Sequence, residues 1–88
     1  MNYVYIVECS DGTFYTGWTN NLEKRIYMHS NGVGAKYTKG RGPVKLMHYE
    51  EFEEKKDAMK REYEIKKLTR RAKILLIRDN KKNKLQVY

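Results

Sequence analysis

The chain contains few of the residues that mark secreted, membrane-spanning or disordered proteins. It has one cysteine among 88 residues, Cys9, which excludes an internal disulfide and favours a reducing compartment. No apolar run approaches the ~20 residues that a helix needs to cross a bilayer, and the first residues lack the basic start of a signal peptide. With 40% hydrophobic residues, the chain is too apolar to remain disordered. These absences predict a cytoplasmic globular domain.

Acidic residues are also scarce. Eleven aspartates and glutamates face nineteen lysines and arginines, which leaves a net charge of +8. On so small a domain, this excess creates a positive field over much of the surface and favours a polyanion such as nucleic acid. A membrane surface is the other common polyanion, but no basic amphipathic helix with large exposed aromatics supports it. The charge therefore predicts a nucleic-acid partner and no membrane partner.

Proline occurs only once, and four of the six glycines fall between residues 32 and 42. The remainder divides into short regular elements, because β-branched and aromatic runs alternate with segments of helical apolar spacing. These patterns predict the order β-β-α-β-α-α in one α+β domain over residues 1–80, with helices against a three-stranded sheet, followed by a basic tail over residues 81–88. The predicted strands are 2–9, 13–19 and 44–52, and the predicted helices are about 20–30, 54–68 and 70–78.

The first helix carries signals at both ends. Asn20 followed by Glu23 fits a capping box, in which each side chain accepts from a backbone amide at the other end of the first turn. Asn31 and Gly32 predict a left-handed cap at the end of the helix.

The turn between the first two strands allows two geometries. A two-residue Asp-Gly loop pairs Ser10 with Thr13 and places Tyr5 and Tyr15 on opposite faces of the sheet. A three-residue loop puts Gly12 in the left-handed conformation, pairs Thr13 with the residue before Ser10, and places the two tyrosines on one face. The local sequence does not decide between them.

Several polar residues stand at positions that suggest a site, although each has an ordinary explanation. Tyr5 and Tyr15 are core aromatics by default, and Arg25 and His29 lie four apart on one helix face. Glu62 falls within the apolar stripe of the second helix, where an unpaired carboxylate is unfavourable. An ion pair with a neighbouring lysine or arginine is the simplest reading of Glu62.

Taken together, these positions resemble the signature of a known family, the GIY-YIG nuclease superfamily. The resemblance rests on Tyr3-Val4-Tyr5, Tyr15-Thr16-Gly17, Arg25, His29 and Glu62 in that order. It extends over residues 2–78 and is closest to small, stand-alone bacterial members. Tyr3, Val4 and Thr16 depart from the usual tripeptides, while the motif tyrosines and Gly17 are present. The resemblance implies a three-stranded antiparallel sheet flanked by helices and an endonuclease that hydrolyses DNA phosphodiester bonds, with branched or damaged DNA as candidates.

The resemblance also implies roles for individual residues. Glu62 would hold one Mg²⁺ or Mn²⁺, and Arg25 would stabilise charge on the phosphate. Tyr5 would be the general base with Tyr15 as its supporting partner, which requires the three-residue turn. Trp18 stands where some DNA-repair relatives carry a lysine near the catalytic tyrosine, so His29 would help deprotonate the tyrosine here. Gly17 would allow close approach of the phosphate backbone.

The glycine-rich segment over residues 32–42 is predicted to be a loop that contacts DNA. Lys36, Lys39 and Arg41 can each neutralise a phosphate, and Tyr37 can stack on an unpaired base. The alternative is a solvated loop without a partner. At the level of the whole chain, the alternative to an endonuclease is a nucleic-acid-binding module with little catalytic activity. The domain is expected to be a monomer, and the sequence leaves open whether RNA is a substrate and whether a partner protein supplies targeting.

Overall fold

The structure is a computed structural model that describes the backbone of residues 1–87 and the side chains of residues 1–79. Its elements follow the predicted order β-β-α-β-α-α. The strands are β1 (Asn2–Glu8), β2 (Phe14–Thr19) and β3 (Lys45–Phe52), and the helices are α1 (Leu22–Ser30), α2 (Lys55–Lys66) and α3 (Arg70–Val87). The strands form one antiparallel sheet in the order β2-β1-β3, so the predicted α+β class and three-stranded sheet are confirmed.

The central strand β1 is buried on both faces, as its continuous apolar sequence predicts. Val4 and Ile6 point towards α2 and α3, where they form the core with Ala58, Ile65 and Ile77. Because side chains alternate along a strand, the residues between them point to the opposite face of the sheet. That second face carries Tyr5, which is only 1% exposed.

The turn after β1 contains three residues, which decides the register. The Cys9 amide donates to the Thr13 carbonyl at 2.8 Å, and Gly12 has a positive φ of 83°. With this turn Val7 lies opposite Tyr15, and Tyr5 lies opposite Gly17. Tyr5 and Tyr15 therefore point to the same face of the sheet, which is the register that the resemblance requires.

The start of α1 differs from the prediction by one residue. Asn21 is the N-cap, and its side-chain oxygen accepts from the Lys24 amide at 3.2 Å. The Thr19 hydroxyl accepts from the Asn21 amide at 3.1 Å, which fixes the turn one residue later than a cap at Asn20 would need. The predicted capping box of Asn20 and Glu23 is therefore wrong. At the other end, Gly32 has a φ of 77°, which confirms the left-handed cap.

The last helix is longer than predicted, because α3 runs to Val87 rather than ending near Arg78. No glycine or proline occurs after Pro43, so nothing in the sequence of α3 interrupts it. The division into a domain of residues 1–80 and a basic tail of residues 81–88 stays a prediction, because the side chains of that tail and the whole of Tyr88 lie outside the described residues. Among the described residues, no helix has the length and apolarity that a membrane crossing requires.

Candidate active site

A tyrosine and a histidine form a buried hydrogen bond on the sheet face opposite the core. The hydroxyl of Tyr5, from the middle of β1, lies 2.6 Å from Nε2 of His29, from the last turn of α1. Neither side chain is exposed to solvent beyond 1%. Helix α1 follows directly from β2, so the strand-to-helix junction carries His29 back over the sheet. The structure thus brings together two of the predicted site residues that stand 24 positions apart.

The second ring nitrogen of His29 is also occupied. Its Nδ1 lies 2.9 Å from the hydroxyl of Thr38, which in turn donates to the Ala35 carbonyl at 3.1 Å. Thr38 is fully buried even though it belongs to the glycine-rich loop. The sequence analysis did not find Thr38, because a single threonine in an aperiodic loop gives no sign of a distant partner.

Tyr15 packs beside His29 and begins a line of aromatic contacts that reaches the surface. The rings of Tyr15 and His29 have centroids 5.1 Å apart, and Tyr15 stacks on Tyr37 at 5.8 Å. The guanidinium of Arg41 lies 4.5 Å from the centre of the Tyr37 ring and also pairs with the carboxylate of Asp11. Arg41 is therefore already engaged within the protein, and the Tyr37 ring already has two neighbours.

Arg25 lies beside the tyrosine–histidine pair. Its guanidinium is close enough to the Tyr5 hydroxyl to oppose the effect of burial on the pKa of that group, and its charge helps to lower the pKa of His29. The Nε of Arg25 is buried and has no hydrogen-bond partner, and no carboxylate in residues 1–79 forms an ion pair with Arg25. Arg25 is thus a partly buried cation without a carboxylate partner in this part of the chain, which suits it to bind an anion.

The electrostatics of the site favour neutral forms of both hydrogen-bonded groups. Burial raises the pKa of Tyr5 to about 12, against the effect of Arg25 and with a contribution from the charge of Glu62. Burial and the positive charge of Arg25 lower the pKa of His29 below its ordinary value of 6.5. At neutral pH the pair is therefore a protonated tyrosine and an uncharged imidazole.

Gly17 lies against the site tyrosines, which is a contact that the sequence analysis did not predict. A side-chain carbon at this position would lie 2.6 Å from the hydroxyl oxygen of Tyr5 and 3.2 Å from the ring of Tyr15. The space left by the absent side chain is thus filled by the site tyrosines themselves. The approach of a phosphate to Gly17 stays a prediction.

Gly34 is a second close neighbour that the sequence analysis did not single out. A side-chain carbon there would lie 2.5 Å from Nδ1 of His29. The sequence shows that the loop is rich in glycine, but it does not show which glycine contacts the histidine. The loop therefore packs its backbone directly against the imidazole.

Glu62 lies on α2, and its side chain is only 18% exposed. Its carboxylate pairs with Lys66 at 3.3 Å, which is the ion pair that the ordinary reading expected. Within residues 1–79, no group of three or more histidines, cysteines, aspartates and glutamates gathers around a common point. A single carboxylate does not suit zinc, which takes three or four protein ligands. It does suit a hard ion that keeps most of its waters, such as Mg²⁺.

The remaining predicted residues lie outside this cluster. Lys36 and Lys39 are exposed in the loop. His48, the other histidine of the chain, was not among the predicted site residues and belongs to the core face of the sheet, where its Nε2 lies 2.7 Å from Glu50. Glu50 is held in turn by Arg61 from α2, so His48 belongs to a structural network.

Comparisons with known proteins show the family of the chain. Residues 1–75 match the family of the GIY-YIG catalytic domain. A UPF0213 protein of Clostridium perfringens is 68% identical over 77 residues, which cover 88% of this chain and 83% of that protein. A UPF0213 protein of Halobacterium salinarum is 55% identical over 73 residues, with 83% and 95% covered.

A solved structure is similar as well. The solution NMR structure of a UPF0213 protein from Bacillus halodurans is 52% identical, with a TM-score of 0.57 over 88% of this chain and 83% of that chain. The fold, the buried tyrosine–histidine pair and these matches lead to one assignment. The chain belongs to the GIY-YIG catalytic domain family, a family of nucleases.

Proposed function

We propose that this protein is a divalent-metal-dependent endonuclease that hydrolyses phosphodiester bonds in DNA, with branched or damaged DNA as the candidate substrates. The observation that supports this most directly is the 2.6 Å hydrogen bond between Tyr5 and His29 next to Arg25. The site combines a hydroxyl, a base that can accept the proton of that hydroxyl, and a cation that can bind the phosphate. Those are three of the groups that hydrolysis of a phosphodiester needs.

The tyrosine needs the histidine in order to act as a base. A hydroxyl with a pKa of about 12 does not lose its proton to solvent at neutral pH. In the proposed step, Tyr5 accepts a proton from the attacking water while its own proton passes to Nε2 of His29. His29 is uncharged and in direct contact, so it is ready to accept that proton. Tyr15 packs against the imidazole and restrains its orientation.

Arg25 is proposed to bind the phosphate. A guanidinium stays protonated at every relevant pH and can donate two parallel hydrogen bonds to phosphate oxygens. Within residues 1–79 no carboxylate pairs with Arg25, so its charge is available to a substrate phosphate. The charge that builds up on the phosphoryl oxygens during attack would be stabilised there.

Glu62 is proposed to hold one Mg²⁺ or Mn²⁺. When bound, such an ion neutralises phosphate charge and lowers the pKa of coordinated water. Lys66 competes for the same carboxylate at 3.3 Å. Replacing Lys66 should therefore raise the affinity for the ion, whereas removing the charge of Glu62 should lower it.

Cleavage assays with matched variants test this function. Purified protein is incubated with linear, nicked, flapped and branched DNA, and with RNA of the same shapes, in the presence or absence of Mn²⁺. Glu62→Gln should abolish metal-dependent cleavage and weaken metal binding in calorimetry, since it keeps the shape of the side chain but removes its charge. Tyr5→Phe should abolish cleavage while DNA binding persists. Glu64→Gln is the matched control, because Glu64 lies on the same helix but is exposed and should change neither property.

Two outcomes would count against the endonuclease. If the wild-type protein binds DNA but cuts none of the substrates with either metal, the chain is a nucleic-acid-binding module that keeps the nuclease fold. If cleavage proceeds unchanged in Glu62→Gln, the metal-ligand role is wrong and Glu62 serves only its ion pair with Lys66. Sedimentation of the free protein tests the expected monomer in the same preparation.

A further inference from the structure

Three hydrogen bonds, two of them buried and one partly buried, form one continuous chain behind the site. It runs from the Tyr5 hydroxyl to Nε2 of His29 at 2.6 Å, from Nδ1 of His29 to the Thr38 hydroxyl at 2.9 Å, and from Thr38 to the carbonyl of Ala35 at 3.1 Å. Tyr5 is 1% exposed, and His29 and Thr38 are not exposed at all. Because these side chains are almost fully shielded from solvent in the free protein, their hydrogen-bond partners have to come mainly from one another.

The contact between Thr38 and Ala35 determines which groups donate and which accept at this end of the hydrogen-bond chain. A backbone carbonyl only accepts, so the hydroxyl proton of Thr38 is donated to Ala35. Towards His29, the same hydroxyl then presents a lone pair. The imidazole nitrogen facing Thr38 must therefore carry a proton, since two acceptors cannot form a hydrogen bond.

The Tyr5 end favours the same arrangement for a separate reason. Arg25, the other group beside the Tyr5 hydroxyl, has donors only, so it cannot receive the tyrosine proton. The acceptor that remains in contact with that hydroxyl is Nε2 of His29. If Nε2 carried the imidazole proton instead, the Tyr5 proton would be buried without a partner, which is unfavourable.

From these two arguments we propose that Thr38 is a positioning residue that holds His29 in the tautomer with the proton on Nδ1, so that Nε2 always faces Tyr5 as a proton acceptor. Gly34 supports this arrangement, because a side-chain carbon there would lie 2.5 Å from Nδ1 and its absence leaves room for the contact with the Thr38 hydroxyl. The loop over residues 32–42 thus completes the site from behind, in addition to any contact with DNA. The catalytic consequence rests on the proposed endonuclease activity, whereas the tautomer itself does not.

Nitrogen NMR of the imidazoles tests the tautomer without any reaction. Protonated and unprotonated ring nitrogens have distinct chemical shifts, and the chain has only two histidines, so assignment is simple. In the wild-type protein at neutral pH, His29 should show a protonated Nδ1 and an unprotonated Nε2. Thr38→Val keeps the shape of the side chain but removes the hydroxyl that accepts the Nδ1 proton. Each tautomer then leaves one buried proton without a partner, so the His29 signals should shift towards a mixture of both tautomers. Thr38→Ser restores the hydroxyl and should restore the wild-type pattern, while the signals of His48 stay constant in all three proteins.

Cleavage kinetics give the second measurement. Loss of an orienting partner of a functional histidine typically costs about 10–100-fold, so kcat should fall by about that factor in Thr38→Val and recover in Thr38→Ser. A wild-type spectrum with the proton on Nε2 would overturn the proposal even if Thr38→Val failed to fold. An unchanged His29 spectrum in folded Thr38→Val would also overturn it. If the spectra behave as expected but no variant and no wild-type protein cuts DNA, the tautomer assignment stands and the endonuclease function is the part that fails.

Discussion

Two glycines, Gly17 and Gly34, leave space that the reactive side chains of the site occupy. At Gly17, the position of a side-chain carbon is taken by the Tyr5 phenol, and at Gly34 it is taken by the His29 imidazole. Neither glycine has a positive φ, so both are required by close packing and not by backbone conformation. The two glycines therefore leave the room that the tyrosine and the histidine occupy.

Gly17→Ala should disrupt the site through this contact. The added methyl group would lie 2.6 Å from the Tyr5 hydroxyl, which is buried and bonded to His29 and so has nowhere to move. We expect a loss of about 1–3 kcal/mol in the free energy of unfolding, as is usual for overpacking, together with loss of cleavage. Urea denaturation and a cleavage assay measure both effects. Gly40→Ala is a useful comparison, because no atom lies within 4 Å there and its cost comes from its positive φ. A Gly17→Ala protein with wild-type stability and activity would show that Tyr5 does not need this position.

The loop over residues 32–42 is held at several points and is not a simple solvated connection. Its Thr38 bonds to His29 inside the protein, and near its end the Arg41 carbonyl accepts from the Ser10 amide at 2.8 Å. Arg41 also pairs with Asp11 in the turn after β1. The loop therefore has an inner side that closes the site and an outer side on which Lys36 and Lys39 are exposed.

The two exposed lysines should account for most of the DNA contact of this loop. Each phosphate neutralised on duplex DNA contributes about 0.9 to the slope of log affinity against log salt. Lys36→Ala with Lys39→Ala should therefore flatten the slope by just under two, with little change in thermal stability. Lys56→Ala with Lys60→Ala is the matched control, because these two exposed lysines lie on α2. Equal flattening in both double variants would indicate binding by overall charge and would remove the special role of the loop.

Arg41 should behave differently from the lysines, because Asp11 and Tyr37 already contact it. The prediction that Arg41 neutralises a phosphate, and that Tyr37 stacks on an unpaired base, stays untested. Each of those contacts would have to compete with an interaction that the free protein already makes.

The two faces of the sheet differ in the kind of side chain that they carry. The face towards α2 and α3 carries the apolar core around Val4 and Ile6. The other face carries Tyr5, Tyr15 and His29, whose polar groups are bonded to one another. The net charge of the chain is +8, which favours the approach of a polyanion.

The buried histidine should make the stability of the whole molecule fall in mild acid. The folded protein lowers the pKa of His29 below 6.5, so the unfolded state binds more protons at lower pH. The stabilising effect is therefore fully present above about pH 6.5 and is lost as the pH falls from there towards the lowered pKa. The charged or titratable groups that face His29 are Tyr5, Tyr15 and Arg25.

Urea denaturation between pH 7.5 and pH 5 would measure this dependence, with His29→Gln as the comparison. The variant lacks the titrating group, so its free energy of unfolding should vary less over this range. Equal pH dependence in both proteins would show that His29 does not have a lowered pKa. The pKa of Glu50 is lowered to about 2, mainly through its hydrogen bond with His48 and also through Arg61. Its effect on the free energy of unfolding therefore begins only below about pH 4.5, outside the range of this comparison.

Local sequence patterns were sufficient for the elements and their order. The alternation of β-branched and aromatic residues located all three strands within one residue at each end, and helical apolar spacing located the three helices. These signals are strong because they depend on neighbours within one or two turns of the chain. The resemblance to a known family then indicated Tyr5, Tyr15, Arg25 and His29, which the structure gathers at one place.

The register of the hairpin and the inner shell of the site were not available from local sequence. The residues around Gly12 are compatible with both turn geometries. The pairing of β1 with β2 in the structure decides for the three-residue form. Thr38 and Gly34 acquire their roles from contact with His29, which approaches them only after α1 has folded back over the sheet. Direct contacts between distant side chains leave no periodic trace in the sequence, since their energy depends on distance in space and not on spacing along the chain.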